Sequence, residues 1–143
     1  MINCTRFHLR TFNDTEHYQF THEGPIKTDT IITLDAATGK PIESTGANMF
    51  YMPHGMTIDR HGNYWITDVA LHQVFKFKPG APYPSITLGR RFQPGSLPNY
   101  FCKPTDVAVA STGEVNLFCE LCLTIESNYD YFMFVVLCSR WLL

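Results

Sequence analysis

A repeat with an offset of 51 residues constrains this chain more than any other feature of its sequence. In both copies a proline precedes a short alternating apolar strand, and a polar turn containing glycine follows that strand. The matched positions are Pro53 with Pro104, 56–58 with 107–109, and Gly62 with Gly113. Repeats of about 40–50 residues that hold several short strands are typical of β-propeller blades. The sequence therefore predicts an all-β fold built from such blades.

The first copy is predicted to form four short strands joined by turns. The expected strands are residues 55–58, 64–67, 73–77 and 85–88. A hairpin turn over 59–63 joins the first two, and Gly62 can adopt the positive φ that such turns need. Upstream, residues 30–34 and 40–42 predict the outer hairpin of a preceding blade. About two blades of an incomplete propeller are therefore expected.

The sequence pattern changes after residue 115, and this change divides the chain into two predicted regions. Residues 1–115 are assigned to the partial propeller, and residues 116–143 to a divergent apolar tail unrelated to the repeat. Only radial closure removes the sheet edges of a propeller, so an incomplete one leaves unpaired strands on its flanks. We expect self-association through these open sheet edges.

Composition excludes several classes of partner. The formal net charge of −2 provides no basic surface for nucleic acid. The most apolar stretch, 131–143, contains Arg140 and is shorter than the roughly 20 residues that a membrane-spanning helix needs, so no transmembrane segment is predicted. Residues 1–10 lack the apolar core of a signal peptide. Five cysteines leave at least one without a partner inside the chain.

Three runs of residues carry a resemblance to a known family. They are Phe50-Tyr-Met-Pro-His-Gly-Met56, the run from Tyr64 to Phe77 (Tyr-Trp-Ile-Thr-Asp-Val-Ala-Leu-His-Gln-Val-Phe-Lys-Phe), and Phe101-Cys-Lys-Pro-Thr-Asp-Val-Ala-Val109. The stretch from about Glu23 to Val109 resembles the lyase domain of the peptidylglycine α-amidating enzymes, peptidyl-α-hydroxyglycine α-amidating lyase. The resemblance implies a six-bladed propeller of NHL-type repeats. It also implies cleavage of a peptidyl-α-hydroxyglycine substrate into an amidated peptide and glyoxylate.

The resemblance also implies metal sites and a cellular location. The family holds zinc with three histidines in the central cavity and calcium deeper in the propeller. His54 matches the first zinc histidine, Met56 matches a position whose backbone carbonyl binds calcium, and Cys102 matches one half of a disulfide. Peptide amidation by this family implies the secretory pathway or the extracellular space.

No catalytic residue of the family can be placed in this chain. The family tyrosine and the disulfide partner of Cys102 are expected near residues 122–123. The sequence there reads Leu121-Cys-Leu123, which departs from the family pattern, so the tyrosine and the expected partner are both absent. Arg10 has a different spacing from the family arginine. The chain is therefore expected to be incomplete and inactive alone. Two alternatives stay open, a non-enzymatic NHL-repeat module that binds protein and a regulatory or non-functional fragment.

Overall fold

Three antiparallel sheets make up the described part of the protein, and the all-β expectation is confirmed. The computed structural model describes residues 10–119 in full and the backbone of 136–141. The strands are β1 (Ile31–Leu34), β2 (Pro41–Thr45), β3 (Pro53–Ile58), β4 (Tyr64–Asp68), β5 (Gln73–Phe77), β6 (Ile86–Leu88), β7 (Pro104–Val109), β8 (Val115–Cys119) and β9 (Val136–Trp141). They form the sheets β1–β2, β3–β4–β5–β6 and β7–β8–β9. An open, incomplete propeller fits this arrangement, with a 3₁₀ turn at Thr21–Glu23 before the first hairpin.

The repeat seen in the sequence is reproduced by the backbone. β7 and β8 each begin and end 51 residues after β3 and β4. In the first turn the N–H of Asp59 donates to the oxygen of Asn63 at 3.0 Å, and the N–H of Gly62 donates to the oxygen of Asp59 at 2.9 Å. The turn over 110–114 contains the same pair of bonds, at 2.8 and 2.9 Å. Equivalent positions therefore have the same local conformation in both sheets.

β8 lies across the boundary that the sequence predicted between residues 115 and 116. Its residues alternate in burial, with Val115, Leu117 and Cys119 facing the core. β8 pairs antiparallel with β7 as β4 does with β3, so the repeat continues through Cys119. The rest of the predicted tail lies outside the described residues, apart from the backbone of β9, which pairs with β8.

Two apolar clusters hold the sheets together. The first packs the β1–β2 hairpin and the N-terminal segment against the four-stranded sheet around Phe50 and Phe75, whose rings meet at 88°. The second joins the two larger sheets around Trp65, Phe101 and Leu117. Phe50 and Phe101 occupy equivalent repeat positions and are both fully buried. Burial of such side chains contributes about 1.5–3 kcal/mol each, so the contact between sheets is a main source of stability.

No helix in the described part of the chain has the length and apolar character required to cross a membrane.

Candidate metal-ligand site

His54 lies at a β-bulge in β3, the first strand of the four-stranded sheet. Between two paired positions β3 has one more residue than β4, so that His54 and Gly55 together lie opposite Thr67. The flanking pairs are Pro53 with Asp68 and Met56 with Ile66. A bulge of this kind bends the strand and redirects the side chain of the extra residue, and bulges are common beside active sites.

The same irregularity recurs one repeat later, in β7, and the two bulges meet. There the extra residue is Thr105, between the pairs that Pro104 and Asp106 form with β8. The Nδ1 of His54 lies 2.8 Å from the backbone oxygen of Thr105. A carbonyl oxygen can only accept, so Nδ1 must carry the hydrogen. In the neutral ring the lone pair then belongs to Nε2, the nitrogen left available to bind a metal.

Gly55 allows the two strands to approach this closely. A Cβ at Gly55 would lie 2.4 Å from the backbone oxygen of Thr105 and 2.7 Å from the Cα of Asp106. Both distances are far below normal contact, and both involve backbone atoms. Glycine is therefore required here for clearance between the sheets, which brings the ring of His54 within bonding distance of Thr105.

A buried carboxylate stabilises the loops on either side of the bulge. One Asp68 oxygen accepts the N–H groups of Tyr51 and Met52 at 2.8 and 2.9 Å. The other accepts those of Ala70 and Leu71 at 3.0 and 2.9 Å. Burial raises the pKa of Asp68, and the four backbone donors oppose that rise. With four donors around its oxygens, this side chain ties the segment before β3 to the turn after β4.

His72 is the second histidine near the junction of the sheets, and its role is structural. It is fully buried, and its Nδ1 accepts the N–H of Lys103 at 3.2 Å. Burial lowers the pKa of His72 to about 4, helped by the nearby charges of His17 and Lys103 and partly opposed by the backbone of Glu16. A neutral ring that accepts at Nδ1 carries its hydrogen on Nε2, so neither nitrogen offers a lone pair to a metal.

Comparison with known proteins shows which family this chain is similar to. Residues 50–77 match the NHL repeat. The chain is 58% identical to peptidyl-alpha-hydroxyglycine alpha-amidating lyase 2 of Drosophila melanogaster over 106 residues, 74% of this chain and 26% of that protein. This chain is a relative of the peptidyl-alpha-hydroxyglycine alpha-amidating lyases. Drosophila lyase 1 is 53% identical over 73% of the chain and 19% of its own length. Peptidyl-glycine alpha-amidating monooxygenase A of Xenopus laevis is 58% identical over 64% of the chain and 10% of its own length.

The predicted family resemblance is thereby confirmed. The chain spans about a quarter of the length of the first Drosophila lyase.

The prediction that His54 is a metal ligand can be compared with its geometry. His54 is exposed and has the tautomer that leaves Nε2 free for a metal. A catalytic zinc needs three protein ligands, and residues 10–119 contain no group of three histidine, cysteine or acidic side chains placed so that they could hold a metal ion. His54 therefore has the geometry of a metal ligand, but the described part of the chain does not bring together the three ligands that a catalytic zinc needs.

The other two predicted site residues of this lyase relative are both located in the structure. Met56 follows the bulge on β3 and is 43% exposed. Cys102 is buried beside the start of β7, and its sulfur and that of Cys119 are both disulfide-bonded. The bonded sulfur of Cys102 contradicts the expectation that its partner is absent. The region near residues 122–123, where that partner was expected, lies outside the described residues.

The sequence indicated His54 as a candidate and did not indicate its neighbours at the two bulges, Gly55 and Thr105. The 51-residue offset could have indicated Thr105, because it makes Thr105 the equivalent of His54 in the next repeat. That inference also requires that equivalent strands of successive sheets lie side by side.

Proposed function

We propose that this chain carries part of the propeller of a lyase that cleaves peptidyl-α-hydroxyglycine into an amidated peptide and glyoxylate. The observation that carries the proposal is the 58% identity to a protein named as such a lyase, over 74% of the chain. The geometry of His54 supports it, because a bulged, exposed imidazole with a defined tautomer suits a metal ligand.

In this proposal His54 is one of the zinc ligands and binds through Nε2. When bound, zinc would act as a Lewis acid on the substrate. The part played by this chain is to present the imidazole at a fixed angle, with the backbone oxygen of Thr105 holding Nδ1. The backbone carbonyl of Met56 is proposed as a calcium ligand, in keeping with the preference of that ion for oxygen.

We further propose that the protein works in the secretory pathway or outside the cell. Amidated peptides would be its products there. Disulfides persist in oxidising compartments, and the bonded sulfurs of Cys102 and Cys119 are consistent with such a location.

The proposal can be tested by grafting residues 50–119 of this chain onto Drosophila lyase 2 in place of the matching segment. We expect the chimera to release glyoxylate from a short peptidyl-α-hydroxyglycine, because the graft carries the complete pair of bulges. His54→Ala should then lower kcat/KM by at least about 100-fold, as the loss of a metal ligand does.

His61→Ala is the matched control for that variant. His61 lies exposed in the turn after β3, where its Nε2 bonds the neighbouring Arg60 side chain at 3.0 Å. Its removal should leave kcat/KM unchanged. A folded chimera without glyoxylate release, or equal activity of the two alanine variants, would contradict the proposal.

A further inference from the structure

Thr67 is fully buried on β4, opposite the bulge, and both of its side-chain bonds go to one residue. Its hydroxyl accepts the N–H of Gly55 at 2.8 Å and lies 3.5 Å from the oxygen of Gly55, to which it can donate. A bulge interrupts the hydrogen bonds between strands, so the backbone beside it needs another partner. The hydroxyl of Thr67 provides that partner.

The sheet β7–β8–β9 contains the same bulge, but a different side chain bonds across it. The position equivalent to Thr67 is Phe118, which has no hydroxyl. There the extra residue itself forms the tie, since the hydroxyl of Thr105 donates to the oxygen of Phe118 at 3.1 Å. In the sheet β3–β4–β5–β6 the extra residue is His54, whose ring is directed across to Thr105. The side chain of His54 therefore cannot also bond β4, and the bond across the bulge comes from the hydroxyl of Thr67 on β4 instead.

Asp68, the residue after Thr67, holds the end of β4 in place. Its carboxylate accepts two backbone N–H groups from the segment before β3 and two from the turn after β4. Thr67 therefore acts from a fixed backbone on Gly55, which has no side chain of its own with which to pack. The position of Gly55 in turn sets the direction in which the adjacent His54 leaves the strand.

We propose that Thr67 is a positioning residue, whose hydroxyl holds Gly55 in the bulge and thereby directs the His54 ring onto the oxygen of Thr105. The tautomer of His54, with hydrogen on Nδ1 and the lone pair on Nε2, then depends on a side chain that does not touch the ring. The inference deepens the proposed function and rests on it for its significance, but it concerns the ring alone and can be measured without metal.

The test uses the full chain with ¹⁵N-labelled histidine and no added metal at pH 8. Long-range ¹H–¹⁵N spectra distinguish the two ring nitrogens of His54 and give the ratio of the two tautomers. In the wild type we expect the Nδ1–H form to dominate. Thr67→Val keeps the shape of the side chain and removes the hydroxyl, so the ratio should fall about tenfold, as expected for the loss of one hydrogen bond.

Two variants separate positioning from a general structural effect. Thr67→Ser retains the hydroxyl and should keep the tautomer ratio of the wild type. Thr87→Val, at an exposed threonine on β6, should also leave the ratio unchanged. A wild-type ring with its hydrogen on Nε2 would overturn the proposal, as would a Thr67→Ser ratio that has fallen tenfold or a Thr67→Val ratio equal to that of the wild type.

A zinc titration of the chimera with Drosophila lyase 2 keeps this inference distinct from the proposed function, because the chain alone shows one candidate ligand and a catalytic zinc needs three. In the chimera, zinc that shifts the Nε2 resonance of His54 supports the proposed ligand role. If zinc leaves that resonance unmoved in the folded chimera while the tautomer in the full chain depends on Thr67 as expected, the positioning role stands and the zinc role fails.

Discussion

The Nδ1 of His54 lies 2.8 Å from the backbone oxygen of Thr105, the residue at the equivalent position one repeat later. The candidate ligand on one sheet is thus oriented by the bulge of the next. Because the oxygen belongs to the backbone, the bond needs no particular side chain at Thr105. It needs the two strands to lie at the right separation, which makes the site sensitive to packing between the sheets.

Gly55→Ala should destabilise the protein, because the new methyl group would meet the backbone oxygen of Thr105 at 2.4 Å. We expect a loss of about 1–3 kcal/mol in the free energy of unfolding, the usual cost of overpacking a tight site. Urea denaturation followed by circular dichroism measures the change.

Asp106→Ala in the Gly55→Ala background is the control for that prediction. It removes the side-chain oxygen that a Cβ would meet at 2.8 Å and leaves the backbone contact in place. Most of the loss in unfolding free energy caused by Gly55→Ala should therefore remain in the double variant. Full recovery of stability would show that the side chain of Asp106, and not the backbone, limits the approach.

Asp68→Asn should be among the most destabilising single substitutions in the described part of the chain. An amide nitrogen in place of one carboxylate oxygen would face two backbone N–H donors and leave them buried without an acceptor. We expect a loss of about 3–5 kcal/mol in unfolding free energy, by denaturant titration. Asp35→Asn, in the exposed turn after β1, should cost far less; equal losses would contradict this reasoning.

Asp59 should make the stability depend on pH in the acid range. Burial acts to raise its pKa, but bonds from Asn63, Trp65 and the backbone of His61 outweigh it and lower the pKa to about 2. Since the ordinary value is 3.8, its contribution is complete above about pH 4 and is lost as the pH falls towards 2.

Asp59→Asn tests that contribution. Above pH 5 we expect the variant to be less stable by about 1–3 kcal/mol, the range for hydrogen bonds to a charged group. The difference should shrink towards zero near pH 2. Stability curves of wild type and variant that run parallel from pH 6 to pH 2 would refute the assignment.

His72 should impose a second pH dependence, at higher pH. Its pKa is lowered from 6.5 to about 4, so the unfolded chain binds the proton more tightly than the folded one. Stability is therefore complete above pH 6.5 and falls as the pH drops from 6.5 to 4, by up to about 3 kcal/mol. Thermal unfolding between pH 7 and pH 4 measures the slope.

His72→Asn is the variant that isolates this effect. Asparagine tolerates the positive φ of 56° at this position and offers an oxygen to the N–H of Lys103. It does not titrate, so the slope between pH 6.5 and pH 4 should flatten. An unchanged slope between pH 6.5 and pH 4 would contradict the assignment of this pH dependence to His72.

Much of the fold could be predicted from residues close together in the chain. The alternation in 73–77 and the glycine turn at 59–63 led to β5 and to the first hairpin, and both are confirmed. The proline at the start of each copy led to β3 and β7. The sequence did not reveal that β8 reaches Cys119, because the residues after 115 differ in type from their equivalents although they keep the alternation.

The sequence by itself determined the strands, the 51-residue offset and the candidacy of His54, because these depend on period-two patterning, turn residues and motifs that are local in the chain. Only the tertiary structure decided which nitrogen of His54 carries the hydrogen, which hydroxyl supports its bulge and why Gly55 is required. Those properties depend on Thr105 and Thr67, which reach His54 through packing between sheets and pairing between strands. No local pattern specifies distances between atoms that only folding brings together.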